Sequence, residues 1–517
     1  MRMKSGLGVL LGLWILPGGL LIPASPGAAL QADAPPPLRA ATHVSPILHG
    51  SLPGPGPMAP GDRIRDLAEA RLNADLDAMR EFRPGYAFWQ HVFLIPDGSV
   101  AFGSAVDGRL VATFPAGGNW AQNGRWAEPT LASSLQGHRL ENRMSSRRDQ
   151  VVEILEPTVG PLVHNATRGN FLLPNSRRYG SFLAEWGRIY ERFGVPAEIG
   201  LAQAVLESGL NGTVRSEAGA IGFCQWLPRN WNRMKALAPN EIEGHNQTTQ
   251  AAYCAAYLTI LATKYGSFIP ALSEHHAGGT NVGRTVINGS RLGGETVREQ
   301  YFLGSKFARD LREISPTRFR EVVRSYGPRS FLYAEMVFGN AYTVERLVDE
   351  IPQQRVHAMR ASRNIPIADI TQRTGLSADE VRRYNPALIR QVPRTANLYL
   401  PQQIDAFGRD VAFWHHPVDP EFESVLSDFL QLDHPIEVWE RATFAPVLRE
   451  FRRRFSETGT EEGIVMATVL TYVMEESWSN SRQEILAEFR NDPNVLRLVH
   501  EGMREREALF GSSVQAR

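Results

Sequence analysis

The sequence predicts a mainly α protein built from several modules, with β-structure confined to small units. Three observations carry this expectation. The chain has 517 residues, whereas a single hydrophobic core seldom serves more than about 250 to 300. Apolar residues recur at helical spacing across long stretches before residue 83, between about 175 and 265, and beyond 420. Strand-like runs punctuated by Asp-Gly are concentrated between 86 and 115.

The chain opens with "MRMK", then "GLGVLLGLWILPGGLLIP", then the small residues of "ASPGAALQADA". A basic start, an apolar run and a small-residue cleavage region read as an export signal over 1–32, placing the mature chain in the periplasm or cell envelope. The alternative is an uncleaved anchor, since the run approaches the roughly 20 residues of a membrane span, but Pro17, Gly18 and Gly19 interrupt it. Residues 33–60 are rich in Pro, Gly, Ala and Ser and read as a linker, a composition that cannot bury enough apolar surface to offset ordering.

A small α+β module is expected over 61–150. It begins with a helix in which Ile64, Leu67, Leu72, Leu76 and Met79 lie near helical spacing. Three β-branched or aromatic runs follow, separated by Asp97-Gly98 and Asp107-Gly108, and read as a three-stranded meander from about 86 to 115. From about 175 the chain is helical again. Phe182, Trp186, Ile189 and Tyr190 share one side of a helix that Gly194 ends. In the next helix Ile199, Leu201, Ala202, Val205 and Leu206 surround the axis, so this helix is expected to be buried.

Glu207 stands at the end of that buried helix. Desolvation and the negative end of the helix dipole both disfavour an ionised carboxylate, so a raised pKa is expected. A carboxyl that keeps its proton near neutral pH is what a general acid requires. Periodicity alone favours a Glu turned to solvent just past its helix.

The residues that follow are specific. Glu207-Ser208, Ser216, Ala218-Gly219-Ala220, Gly222, Gln225 and Pro228 stand at the fixed offsets of the catalytic segment of lytic transglycosylases, and this stretch resembles that family of lysozyme-like enzymes, which cleave bacterial peptidoglycan. Tyr257, Leu258 and Leu261 resemble the family's next helix, and Ala277-Gly278 its active-site turn; the likeness runs over roughly 175 to 345. The resemblance implies a lysozyme-like helical catalytic domain, assigned here to 151–345, with Glu207 as the single catalytic acid and base. It further implies that Ser216, Gln225 and His276 contact the glycan and that Tyr301, after "GGETVREQ", is the active-site tyrosine. The implied reaction breaks the bond between MurNAc and GlcNAc without water and closes a 1,6-anhydro ring, so no paired carboxylate is required. Glu217 and Glu274 are the nearest candidates for a hydrolytic partner and read as solvated side chains.

The sequence departs from the family pattern at His275-His276, where Tyr-Asn is common, and at Cys224 and Cys254, where Met and Gly are common. Two cysteines are no disulfide framework, and both a single bridge between them and two buried thiols are consistent with the sequence. Adjacent histidines rarely share a metal, so neither metal nor cofactor is expected.

Residues 356–401 resemble a LysM glycan-binding module through Ile370, Gly375, Leu376, Val381, Asn385, Pro386, Leu398 and Pro401, which implies a βααβ unit, assigned to 346–401. Its usual Gly-Asp is Ser362-Arg363 here, and its later glycine is Thr395. In the C-terminal domain, 402–517, Phe422, Val425, Leu426, Phe429 and Leu430 begin the first of four expected helices. Arg452 to Arg454 read as a solvated helix face, with a binding patch as the alternative.

Lys+Arg and Asp+Glu both total 55, so no strong field points to nucleic acid as a partner. The expected partners are peptidoglycan glycan strands, with envelope proteins contacting the C-terminal domain. The competing functions are a lysozyme-type hydrolase using the same Glu207, and a wall-binding or scaffold protein whose catalytic site has decayed.

Overall fold

A computed structural model of the chain describes residues 60–96, 98–237, 244–323, 330–401, 406–407, 418–432, 441–455, 461–477 and 480–510. The expected export signal, and all of the expected linker except Pro60, lie outside the described residues. The architecture is mainly helical, with one large apolar core and two smaller ones, one under a four-stranded sheet and one in a βααβ unit.

The first helix, Pro60–Phe82, forms where its apolar spacing predicts, with Ile64, Leu72 and Met79 buried in the large core. Its one fully buried acid, Asp75, has a structural task. Asp75 accepts from Ser267 Oγ and from the Phe268 backbone N–H, both at 2.6 Å, and Arg298 Nε lies 2.5 Å from it. A carboxylate placed there satisfies donors at the start of the helix Phe268–Ala277, the helix that carries His275 and His276.

The expected meander is half right. The run from Tyr86 to Leu94 is helical, a short 3-10 turn Pro84–Phe88 continuing into a helix Trp89–Leu94. Phe88, Trp89, Val92 and Phe93 fit helical spacing as well as they fit a buried strand, and they pack against the helices Gly169–Tyr179 and Tyr333–Glu350. The other two runs form β1 (Val100–Ser104) and β2 (Leu110–Phe114), antiparallel with Val100 opposite Phe114, and Gly108 takes the left-handed conformation in their turn. β3 (Arg125–Trp126) and β4 (Leu162–Ala166) complete an antiparallel sheet in the order β3-β2-β1-β4. Val151 and Leu155 of the helix Met144–Val159 pack with Phe102, Phe114 and Trp120 beneath this sheet. The sheet unit therefore continues past residue 150, because its fourth strand comes from sequence-distant chain.

The helix Ala197–Ser208 is buried nearly all round, as its apolar pattern requires. Gly200 lets the Tyr190 ring lie against it; a Cβ there would stand 2.1 Å from the ring. It packs chiefly on the helix Tyr333–Glu350 and on Leu183–Arg192.

In the βααβ unit, β5 (His357–Arg360) pairs with β8 (Asn397–Leu400), and β6 (Ile365–Pro366) with β7 (Gln391–Val392). The helices Ile367–Thr374 and Ala378–Tyr384 bury Ile370 and Val381 against Leu398. Thr395, standing where the resemblance expects glycine, has φ +72°, so the left-handed turn survives without it. Tyr399 fastens the unit to the helical body through a 2.8 Å bond to Thr249.

The C-terminal helices do not stand apart. The helix Pro420–Leu430 packs on Pro60–Phe82, and Glu461–Tyr472, buried along its length, packs on Gln247–Tyr265. Two further helices, Asn480–Asn491 and Pro493–Phe510, follow Arg441–Phe455 and Glu461–Tyr472, one more than the sequence pattern counts. Arg453 pairs with Glu450 on its own helix, as a solvated face would, whereas Arg454 also reaches Glu421 of the helix Pro420–Leu430 at 2.8 Å. Among the described residues, no helix is long and apolar enough to cross a membrane.

Candidate functional site

Glu207 is the penultimate residue of its helix, and Gly209, left-handed at φ +55°, ends that helix directly after it. Any Cβ at 209 would stand 2.5 Å from the Phe171 carbonyl, so the chain can leave here only through glycine. The Glu207 side chain is 13 % exposed, far from the solvent-turned alternative.

Two other helices bring polar rings to its carboxyl, and a third backs them. Tyr333, the first residue of Tyr333–Glu350, donates its hydroxyl to Glu207 Oε1, and its oxygen accepts from Gln203 Nε2 at 3.4 Å. His275 Nε2 lies 3.5 Å from the same Oε1, and its side chain is only 6 % exposed. His276 stacks on the Tyr333 ring at 4.5 Å and 11°. Tyr257, from the helix Gln247–Tyr265, sets its edge against His275 at 5.8 Å, with Trp226 and Tyr472 packed against Tyr257 in turn.

The electrostatics correct the sequence expectation for Glu207. Burial does push its carboxyl up, but the His275 hydrogen bond, the imidazole charges and the Tyr333 hydroxyl outweigh it and hold the carboxyl below its ordinary value. Among these groups His275 acts most strongly, ahead of His276, and burial pushes His276 itself down. Burial and the adjacent carboxylate raise the Tyr333 phenol well above its usual range, which keeps it a donor.

The loop after Glu207 is built around a buried amide that sequence reasoning passed over. Gln250 donates to the carbonyls of Gly212 and Gly244 at 2.9 and 2.7 Å, and accepts from the Phe223 N–H at 3.0 Å. Gly222 is left-handed at φ +65°, and a Cβ on it would stand 2.2 Å from the Gln250 amide. Cys224 and Cys254 are joined, Cα atoms 5.7 Å apart, tying the loop to the same helix that holds Gln250. Of the two readings of these cysteines, the bridge is the one the fold adopts.

Ser216 sits half-buried in this loop, its Oγ accepting from the Ala220 N–H at 3.0 Å. Gln225 adopts φ +44°, rare for a residue with a side chain, and its amide donates to the Gly222 carbonyl at 3.1 Å. Ser216 and Gln225 thus share the loop that leaves Glu207, and His276 reaches the site through Tyr333. Tyr301 does not take the expected place. It is 1 % exposed, its hydroxyl bonds to Ser273 Oγ at 2.5 Å, and Tyr333 is the tyrosine on the carboxyl. No local motif marks Tyr333, which lies 126 positions from Glu207.

Of the two candidate second carboxylates, one is solvated and the other is engaged elsewhere. Glu217 is exposed on the loop, and Glu274, contrary to its solvated reading, is buried with Oε2 2.7 Å from Lys264 Nζ and accepting from Tyr265. Among the described residues, no group of three or more His, Cys, Asp and Glu side chains is arranged to hold a metal ion.

Fold and site together define a mainly helical protein in which a carboxyl, a phenol and an imidazole converge at the end of a buried helix. No protein-family model matches the sequence, and no curated protein matches it.

Proposed function

We propose that this chain is an exported peptidoglycan lytic transglycosylase, cleaving between MurNAc and GlcNAc to leave 1,6-anhydroMurNAc ends. The observation that carries the reading is the Glu207 carboxyl, held by Tyr333 and beside His275, where a buried helix runs into the glycine-rich loop of Ser216 to Gln225. Protonated Glu207 gives its proton to the glycosidic oxygen as positive charge develops on the MurNAc ring. The carboxylate then takes the proton of that sugar's 6-hydroxyl, which attacks the anomeric carbon. One carboxyl suffices for both transfers, in keeping with the commitment of Glu274 to Lys264 and Tyr265.

Ser216 and Gln225 offer polar groups to the glycan from the loop, and the glycines let its backbone come close to the sugars. The βααβ unit adds a second hold on the same polymer, which raises the effective concentration of strand at the site. The C-terminal helices are the surface for envelope partners.

Mass analysis of purified sacculi digested by the protein tests the reading. Anhydro ends, lighter by one water than hydrolysed ends, are expected, and Glu207→Gln should reduce their release by at least about a thousandfold while the circular dichroism spectrum stays unchanged. Hydrolysed ends would indicate a lysozyme-type hydrolase. Sacculus binding without released fragments would indicate a scaffold.

A further inference from the structure

We propose that His275 is a positioning residue that supplies the working proton of Glu207 and takes it back, so that the acid of this site is a carboxyl–imidazole pair. The inference rests on the transglycosylase reading and deepens it. Its ground is geometric. His275 Nε2 and Glu207 Oε1 are 3.5 Å apart, with side chains 6 % and 13 % exposed, so each is the other's main charged neighbour in a nearly dry site.

The surroundings leave that pairing uncontested. Tyr333 donates to the carboxyl from one helix and Tyr257 packs its edge on the imidazole from another, with Tyr472 behind it. His276 lies flat on Tyr333, and burial pushes its pKa down. Glu274, next in sequence to His275, is engaged by Lys264 and Tyr265. His275 is thus the imidazole whose ring nitrogen lies within reach of the Glu207 carboxyl.

The free site holds Glu207 ionised, which is the wrong form for protonating a leaving group. A glycan strand covering the pair removes the remaining water, and lower polarity favours a neutral acid beside a neutral base over two charges. The Nε2–H bond of the imidazolium breaks and an O–H bond forms on Glu207. That proton passes to the glycosidic oxygen as its bond to the anomeric carbon breaks. The 6-hydroxyl oxygen bonds to that carbon, its proton goes to Glu207, and Glu207 returns a proton to Nε2. The pair ends as it began.

Two readouts on the full chain test this: the pH profile of anhydro-end release, and the titration of the Glu207 carboxyl followed by carbon-13 NMR. His275→Asn, with His275→Gln as a second variant should the first misfold, is compared with His245→Asn, whose ring lies 3.3 Å from Arg215 instead. In the parent protein the profile is expected to have an alkaline limb set by the proton that the pair shares. Replacing His275 should move that limb and raise the carboxyl midpoint, by about one unit or more, while His245→Asn leaves both in place. Superimposable limbs, or an unmoved carboxyl midpoint, would overturn the pairing. Should the parent release no anhydro ends at any pH, the transglycosylase reading fails, and the carboxyl titration alone decides whether Glu207 and His275 share a proton.

Discussion

A carboxyl that must give up and regain a proton depends on how each neighbour treats its two forms. At Glu207 burial favours the acid, whereas Tyr333 and His275 favour the anion. Tyr333→Phe removes one donor from the charged form, so the Glu207 carboxyl should titrate higher, which carbon-13 NMR of the labelled side chain reads directly. Release of anhydro ends should fall by roughly ten- to a hundredfold, the scale of one lost hydrogen bond to a charged group. Glu207, Ser216 and Gln225 were legible in the sequence because they occupy one short segment whose offsets the fold cannot alter. Tyr333 was not, because its approach depends on how two helices pack. Tyr301 looked apt only by its place after "GGETVREQ", and the packing turns its hydroxyl to Ser273.

The elements around the site differ in what holds them. Helix Ala197–Ser208 is secured by burial on nearly all sides, while the loop that follows has short β-bridges at Ile221 and is otherwise fastened by Gln250 and the Cys224–Cys254 bridge. The bridge closes a segment with a sequence separation of 30, for which chain-entropy arguments give about 2 to 4 kcal/mol of stability. Cys254→Ser should lower the unfolding free energy by that order in urea titrations and expose one thiol to labelling; the parent, unreduced, should expose none. The two halves of the run from 86 to 115 show why element type was only partly legible. Asp107-Gly108 marks a hairpin wherever it falls between strands, but the apolar run before it satisfies helix and buried strand alike, and its helical neighbours decide.

Across the whole molecule, four helices from three separate stretches of the chain bring acids together. Glu198 is buried, with Glu69, Glu191 and Glu345 near enough to add to the cost of its charge, and burial first of all pushes it up to about 7. A carboxyl whose folded pKa is raised contributes stability that is full below its unfolded value near 4.5 and is lost as pH rises through about 7. Glu198→Gln keeps the neutral shape without the titration. Its stability relative to the parent should therefore grow between pH 4.5 and 7, reaching on the order of 2 to 3 kcal/mol, as measured by urea unfolding at each pH. An unchanged difference across that range would show that the carboxyl is not held neutral by the fold.

By itself the sequence determined what lies within a few turns of the chain. Helical periodicity, the hairpin dipeptide and the spacing of Glu207, Ser216 and Gln225 are local, and backbone geometry makes local spacing binding. Only the tertiary structure decided that Tyr333 and His275 meet Glu207, that Gln250 anchors the loop, that a strand from 162–166 closes the sheet and that the C-terminal helices join the central core. These are contacts between segments tens to hundreds of residues apart. They follow from which apolar faces bury one another, and burial is set by the whole chain at once.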